Sequence, residues 1–127
     1  KLACAGGESK NTKDNPMDRA LAISVIKAFL AEYAALPPVN ADEVEMGTIC
    51  DDERGHYQLL MQGWDGARRL HGLIIHVDVR GDKIIVQHDG TRESVANRLV
   101  ASGIPATNIV IGFHHPEMRQ ETPFAVA

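Results

Sequence analysis

Apolar and polar residues recur along this chain with two different periods, and the switches between them lay out the elements. From residue 17 to 36, Leu21, Val25 and Phe29, with Ala22, Ile26 and Tyr33, return at helical spacing. Asn15 before Pro16 makes an N-cap and first-turn pair, and Pro37-Pro38 ends the helix. The period then shortens to two. One strand is predicted over 43–50, "EVEMGTIC", and a second over 55–63 with Tyr57, Leu59 and Met61 on one face. "WDGAR" supplies a hairpin turn, with a three-residue loop and a left-handed Gly66 preferred because it places Tyr57 opposite Leu73.

The richest run is "LHGLIIHVDVRGDKIIVQHDGT", residues 70–91. Gly81-Asp82 fits a two-residue type II′ turn. Strict alternation then sets Val79 against Ile84 and Val77 against Val86 on the core side, with Leu73 and Ile75. The other face pairs Asp78 with Ile85, His76 with Gln87, and Ile74 with Asp89, while His88 points to the core side. A second helix follows in "DGTRESVANRLVASGIP". Thr91 is its expected N-cap, Glu93 suits its dipole, Val95, Ala96, Leu99 and Val100 form its stripe, and Gly103 is its C′ residue. "NIVIGF" is a last strand, with Ile109, Ile111 and Phe113 on one side, and the tail from His114 is irregular. The order α-β-β-β-β-α-β predicts an α+β fold: a mainly antiparallel sheet of about five strands with two helices on one face.

A chain of 127 residues suits one domain with a real core. Residues 1–16 are polar and rich in Gly, Lys and Asn, and are expected to be a disordered extension or remnant, with the domain over 17–127. The formal net charge of −4 argues against binding a phosphate backbone, so direct nucleic-acid contact is not expected. The Arg68-Arg69 pair beside Trp64 reads as a solvated strand edge. Two cysteines, Cys4 and Cys50, make no disulfide framework, and no apolar run is long enough to span a bilayer; a reducing cytoplasmic setting is expected.

Candidate chemistry is sparse. His76 and Asp78 share a face, with Asp89 the one further strong ligand placed near them, which is too few for a metal site. His114-His115 are adjacent in a strand and point to opposite faces, so neither pair is read as metal-binding. There is no G-x-S-x-G, no phosphate loop and no cysteine beside an evident base, so no catalytic residue and no cofactor is assigned. The face away from the core combines Gln58, Leu60, Gln62, Trp64, Ile74, His76, Asp78, Ile85, Gln87 and Asp89. An apolar centre ringed by amides and imidazoles suits a protein–protein interface, with a partner or with a second copy as a dimer.

"GW" at 63–64, the 70–91 run, "VANRLVASGIP", "IVIGFHHP" and "TPFAVA" resemble XisI, the fdxN element excision controlling factor family, over about residues 17–127. His115 and Pro123 depart from the family pattern, where a second proline and an acidic residue are expected. The resemblance implies a mainly cyanobacterial accessory protein, needed with a nuclease-like partner of the XisH type for excision of a DNA element by a separate recombinase. It implies no catalytic residues. An antitoxin-like inhibitor of a nuclease partner is the alternative, and a small metal-dependent or hydrolytic enzyme using His76 and Asp78 is the weaker one.

Overall fold

The computed structural model describes residues 17–36 and 43–127. Helix α1 spans Arg19–Ala34, followed by strands β1 (Glu43–Asp51), β2 (His56–Asp65), β3 (Arg68–Arg80) and β4 (Lys83–Asp89), helix α2 (Val95–Ala101) and strand β5 (Ile109–Ile111). The sheet order is β1-β2-β3-β4-β5. Three antiparallel pairings are closed by a parallel one between β4 and β5, with α2 as the crossover. This is the predicted α+β architecture and element order. The expected Asn15-Pro16 start and Pro37-Pro38 stop of α1 lie outside the described residues, as does the expected 1–16 extension. Asp18 caps α1, its Oδ1 accepting from the Leu21 N–H at 3.0 Å. Among the described residues no helix is long and apolar enough to cross a membrane.

Both helices lie on one face of the sheet. Ala22, Ile26, Phe29 and Leu30 of α1 and Val95, Ala96 and Leu99 of α2 pack over Tyr57, Leu59, Ile75, Val77, Ile84 and Ile109. The expected stripes shift slightly: Leu21 and Val100 stay exposed, and Leu30 takes a core place. Arg98 joins the helices, donating to both Glu32 carboxylate oxygens at 3.0 Å and lying 5.1 Å from the Phe29 ring centroid. The C-terminal stop of α2 is as expected. Gly103 is left-handed at φ +105, and the Ile104 N–H reaches back to the Leu99 carbonyl at 3.0 Å while its side chain is buried. The N-terminal signal differs. Ser94, at φ +75, is the cap, and Thr91 instead supports the turn before it. On β5, Ile109 and Ile111 are buried, whereas Phe113 lies beyond the strand end and is exposed.

The β3–β4 turn matches expectation. Arg80 faces Lys83, Gly81 has φ +60, and no positive φ occurs at Asp82, the pattern of a type II′ turn. Val79–Ile84, Asp78–Ile85 and Val77–Val86 pair as predicted.

Two bulges then break the alternation. In the β2–β3 pair, Leu60 faces Leu73, but the next pair is Leu59 with Ile75, so Ile74 is an extra residue. The turn itself is shorter than expected, Asp65 facing Arg68 across Gly66-Ala67, and Tyr57 faces Val77, not Leu73. The hairpin needs one residue to correct its parity, and the structure spends it inside β3. Ile74 therefore packs against the core, and Leu73 turns outward, the reverse of their predicted faces. In β4, Gln87 is the extra residue. His76 faces His88 and Ile75 faces Asp89, which moves His88 to the outer face and Asp89 toward the core side.

The bulge assignment has a direct energetic consequence. Ile74→Ala removes apolar volume from the edge of the core and is expected to cost about 2 kcal/mol, the low end for a large-to-small core change. Leu73→Ala is expected to stay within about 0.5 kcal/mol, as for surface positions. Urea denaturation of the two variants checks the order of the two effects.

Candidate functional site

The side chains that gather on the open sheet face centre on Asp78. It is 2% exposed, the one buried charged residue among the described residues. Burying a carboxylate is costly unless donors replace its water. Four side-chain donors do so here. His56 Nδ1 lies 2.7 Å and His76 Nε2 2.9 Å from Oδ1. Gln87 Nε2 donates to Oδ2 at 3.1 Å, and Arg80 Nη2 at 3.3 Å. The four come from three adjacent strands, β2, β3 and β4. An ionised carboxylate can only accept, so His56 carries a proton on Nδ1 and His76 on Nε2. Burial pushes the Asp78 carboxyl up, but the hydrogen bonds from His56, Gln87 and His76 outweigh it and hold the group below the usual aspartate range.

Gly55 fixes His56 in place. Its carbonyl accepts from the Val79 N–H at 2.8 Å, and a Cβ at this left-handed position (φ +75) would come within 2.2 Å of the Val79 carbonyl oxygen. That close approach sets the start of β2 against the end of β3 and puts His56 opposite Asp78.

The rest of the face is mixed. Gln58, Leu60, Gln62 and Trp64 line it from β2, as expected, and Leu73 adds an apolar side chain from β3. Trp64 is 45% exposed, and Arg69 lies 5.3 Å from its ring centroid, so this arginine serves as a cation–π partner and not only as a solvated edge. Ile85 and Gln87 follow on β4.

Two expected members are absent. Ile74 is in the core. Asp89 is committed to the start of α2, where Oδ2 accepts from the Val95 N–H at 2.7 Å and Oδ1 from Thr91. His114 and His115 do not converge: His114 Nδ1 is buried without a partner, and His115 Nδ1 accepts from the Glu117 N–H at 3.3 Å.

His56 and Arg80 are the residues that sequence reasoning missed. The unbulged register set His56 against Ile74 instead of Asp78. The signal that places it is the Gly55–His56 step at the start of β2 read together with an extra residue in β3.

A comparison with protein families matches residues 17–126 to the model described as XisI protein. The chain belongs to the XisI family. The structure resembles the crystal structure of the fdxN element excision controlling factor XisI from Anabaena variabilis, at 32% identity and a TM-score of 0.73, covering 85% of this chain and 97% of that one. It also resembles a XisI-like protein from the same organism, at 37% identity and a TM-score of 0.74, covering 84% and 99% of the two chains. No curated protein matches the chain. The XisI match takes in both helices and all five strands, so the Asp78 cluster and the open face lie within the family domain.

The lowered Asp78 carboxyl links this cluster to acid stability. A group depressed in the folded state contributes stability above its unfolded value of about 4 and loses it as pH falls through the folded value. Asp78→Asn is expected to lower the melting temperature at pH 7 and to flatten the loss of stability below about pH 4. Thermal unfolding of both proteins across that range checks it; parallel curves would show that Asp78 contributes no acid dependence.

Proposed function

We propose that this protein is a non-enzymatic regulator of the excision of a DNA element, acting by binding a nuclease-like protein of the XisH type through its open sheet face. The observation that carries the reading is membership of the XisI family, with a structural relative named as an fdxN element excision controlling factor. That name is a regulator's. The face opposite the helices supports a binding role. Trp64, at 45% exposure, and Leu73, at 37%, stand among the amides of Gln58 and Gln62 and the imidazoles of His71 and His76. Large aromatic and aliphatic anchors surrounded by hydrogen-bonding groups are the composition from which interface hot spots are built. With Ile49 at 48% exposure on β1, the apolar side chains run across three strands. A surface of this width can bury on the order of 800 Å² per partner. The negative net charge favours a protein partner over bare DNA.

Co-purification with a XisH-type protein tests the reading. Trp64→Ala and Leu73→Asp are expected to lose most of the captured partner while leaving the melting temperature within a few degrees of the parent. Unchanged capture by both variants would show that the open face does not hold the partner. If light scattering shows a dimer that the same substitutions split, the face serves a second copy of this chain instead.

A further inference from the structure

We propose that His56, His76 and Asp78 form a binding site for a divalent transition-metal ion. The site goes beyond the regulatory reading and does not rest on it. Three ligand atoms, one from each residue, lie within 4.8 Å of one another. The two nitrogen–oxygen separations to Asp78 Oδ1 are 2.7 and 2.9 Å. An ion with bonds of about 2.1 Å places neighbouring ligands roughly 3 Å apart, so both pairs to Oδ1 fit with a shift of a few tenths of an ångström, while the two ring nitrogens, within 4.8 Å of each other, have to close up by rotation of the half-exposed His56 ring. Two imidazoles and one carboxylate on one side of an ion make the facial set that leaves the remaining positions open to water or to another donor.

The two oxygens of Asp78 divide the work. Oδ1 faces both imidazoles, while Oδ2 is held by Gln87 and Arg80. Outer partners of this kind fix a ligating carboxylate and sharpen the geometry of a metal site. Gly55, packed on Val79, supplies the rigidity at the His56 end. The His56 side chain is 43% exposed and that of His76 26%, against 3% for Asp78, so an ion would enter from the open face with the carboxylate beneath it. Binding replaces two N–H···O contacts with two N–metal bonds and one Oδ1–metal bond, and the ion gives up the waters that these three ligands displace. Each neutral ring gives up the proton on its ligating nitrogen to solvent and takes one on its other nitrogen, so the rings stay neutral and the charge balance is that of the added ion.

The donor set also selects the ion. Arg80 already offsets part of the carboxylate charge, which disfavours the hard ions Mg²⁺ and Ca²⁺ that need several oxygens. Two imidazoles favour Zn²⁺, Co²⁺ or Ni²⁺. Asp89, the third ligand weighed from the sequence, is engaged elsewhere; His56 takes its place, so the count stays at three but gains a second imidazole whose nitrogen faces the same carboxylate oxygen.

The test is a titration of the full, metal-stripped chain with Zn²⁺ and with Co²⁺, read by calorimetry and by the visible absorption of Co²⁺. One equivalent is expected to bind. His56→Ala and His76→Ala should each weaken binding by more than roughly tenfold, and His115→Ala should leave it unchanged. Mg²⁺ should not compete. In the unaltered chain, Co²⁺ should shift the ring proton resonances of His56 and His76, a readout that needs no variant to fold. Absence of stoichiometric binding, or binding that survives both histidine substitutions, overturns the proposal and leaves a hydrogen-bonded cluster only.

Discussion

The charge on Asp78 is the constraint around which the open face is arranged. A carboxylate at 2% exposure has to be solvated by protein, and Asp78 draws its donors from three strands at once. Each donor requires its own strand to be in register. His56 reaches the carboxylate only if β2 begins opposite the end of β3, Gln87 only if β4 keeps it on the outer face, and Arg80 only if the tight turn follows at Gly81. A slip of one residue in either pairing would send a donor to the helical side and leave the charge without its partners. The cluster therefore specifies register as well as occupying the surface.

The bulges reconcile that demand with the core. β3 is long, and its two halves answer to different neighbours. Near its end it must turn Ile75, Val77 and Val79 toward the helices; near its start it pairs with the Trp64 end of β2. Ile74 absorbs the change of phase and adds its own side chain to the core. Gln87 absorbs the corresponding change of phase in β4 while keeping its side chain on the outer face, which leaves Val86 inside and frees Asp89 to accept from the Val95 N–H at the start of α2. Of the run's three carboxylates, Asp78 thus anchors the sheet and Asp89 supports the turn that leads into α2. Membership of the XisI family places this arrangement in a domain whose named relative is an excision controlling factor.

Much of this was legible in the sequence. Helical spacing, the Gly81-Asp82 turn, the Gly103 stop and the alternation in β2 led to the correct element order, and to the correct outer face for Gln58, Leu60, Gln62 and Trp64. The bulges were not legible, because Ile74 and Gln87 carry no marker such as proline or glycine at the position itself. Ile74 is another aliphatic in an aliphatic run, and only the competing needs of two neighbouring strands single it out. The errors follow from that. Strict alternation turns Ile74 and Asp89 outward and Leu73 and His88 inward, and it sets His56 away from Asp78. The short loop at Gly66 added to the same error, since the parity correction was expected in the turn.

Ionised Asp78 is held by donors on both histidines. Long-range ¹⁵N–¹H spectra of the imidazoles in metal-free protein at neutral pH test it most directly. A proton is expected on Nδ1 of His56 and on Nε2 of His76, each close to the Asp78 carboxyl carbon. A bare Nδ1 on His56 or a bare Nε2 on His76 would contradict it.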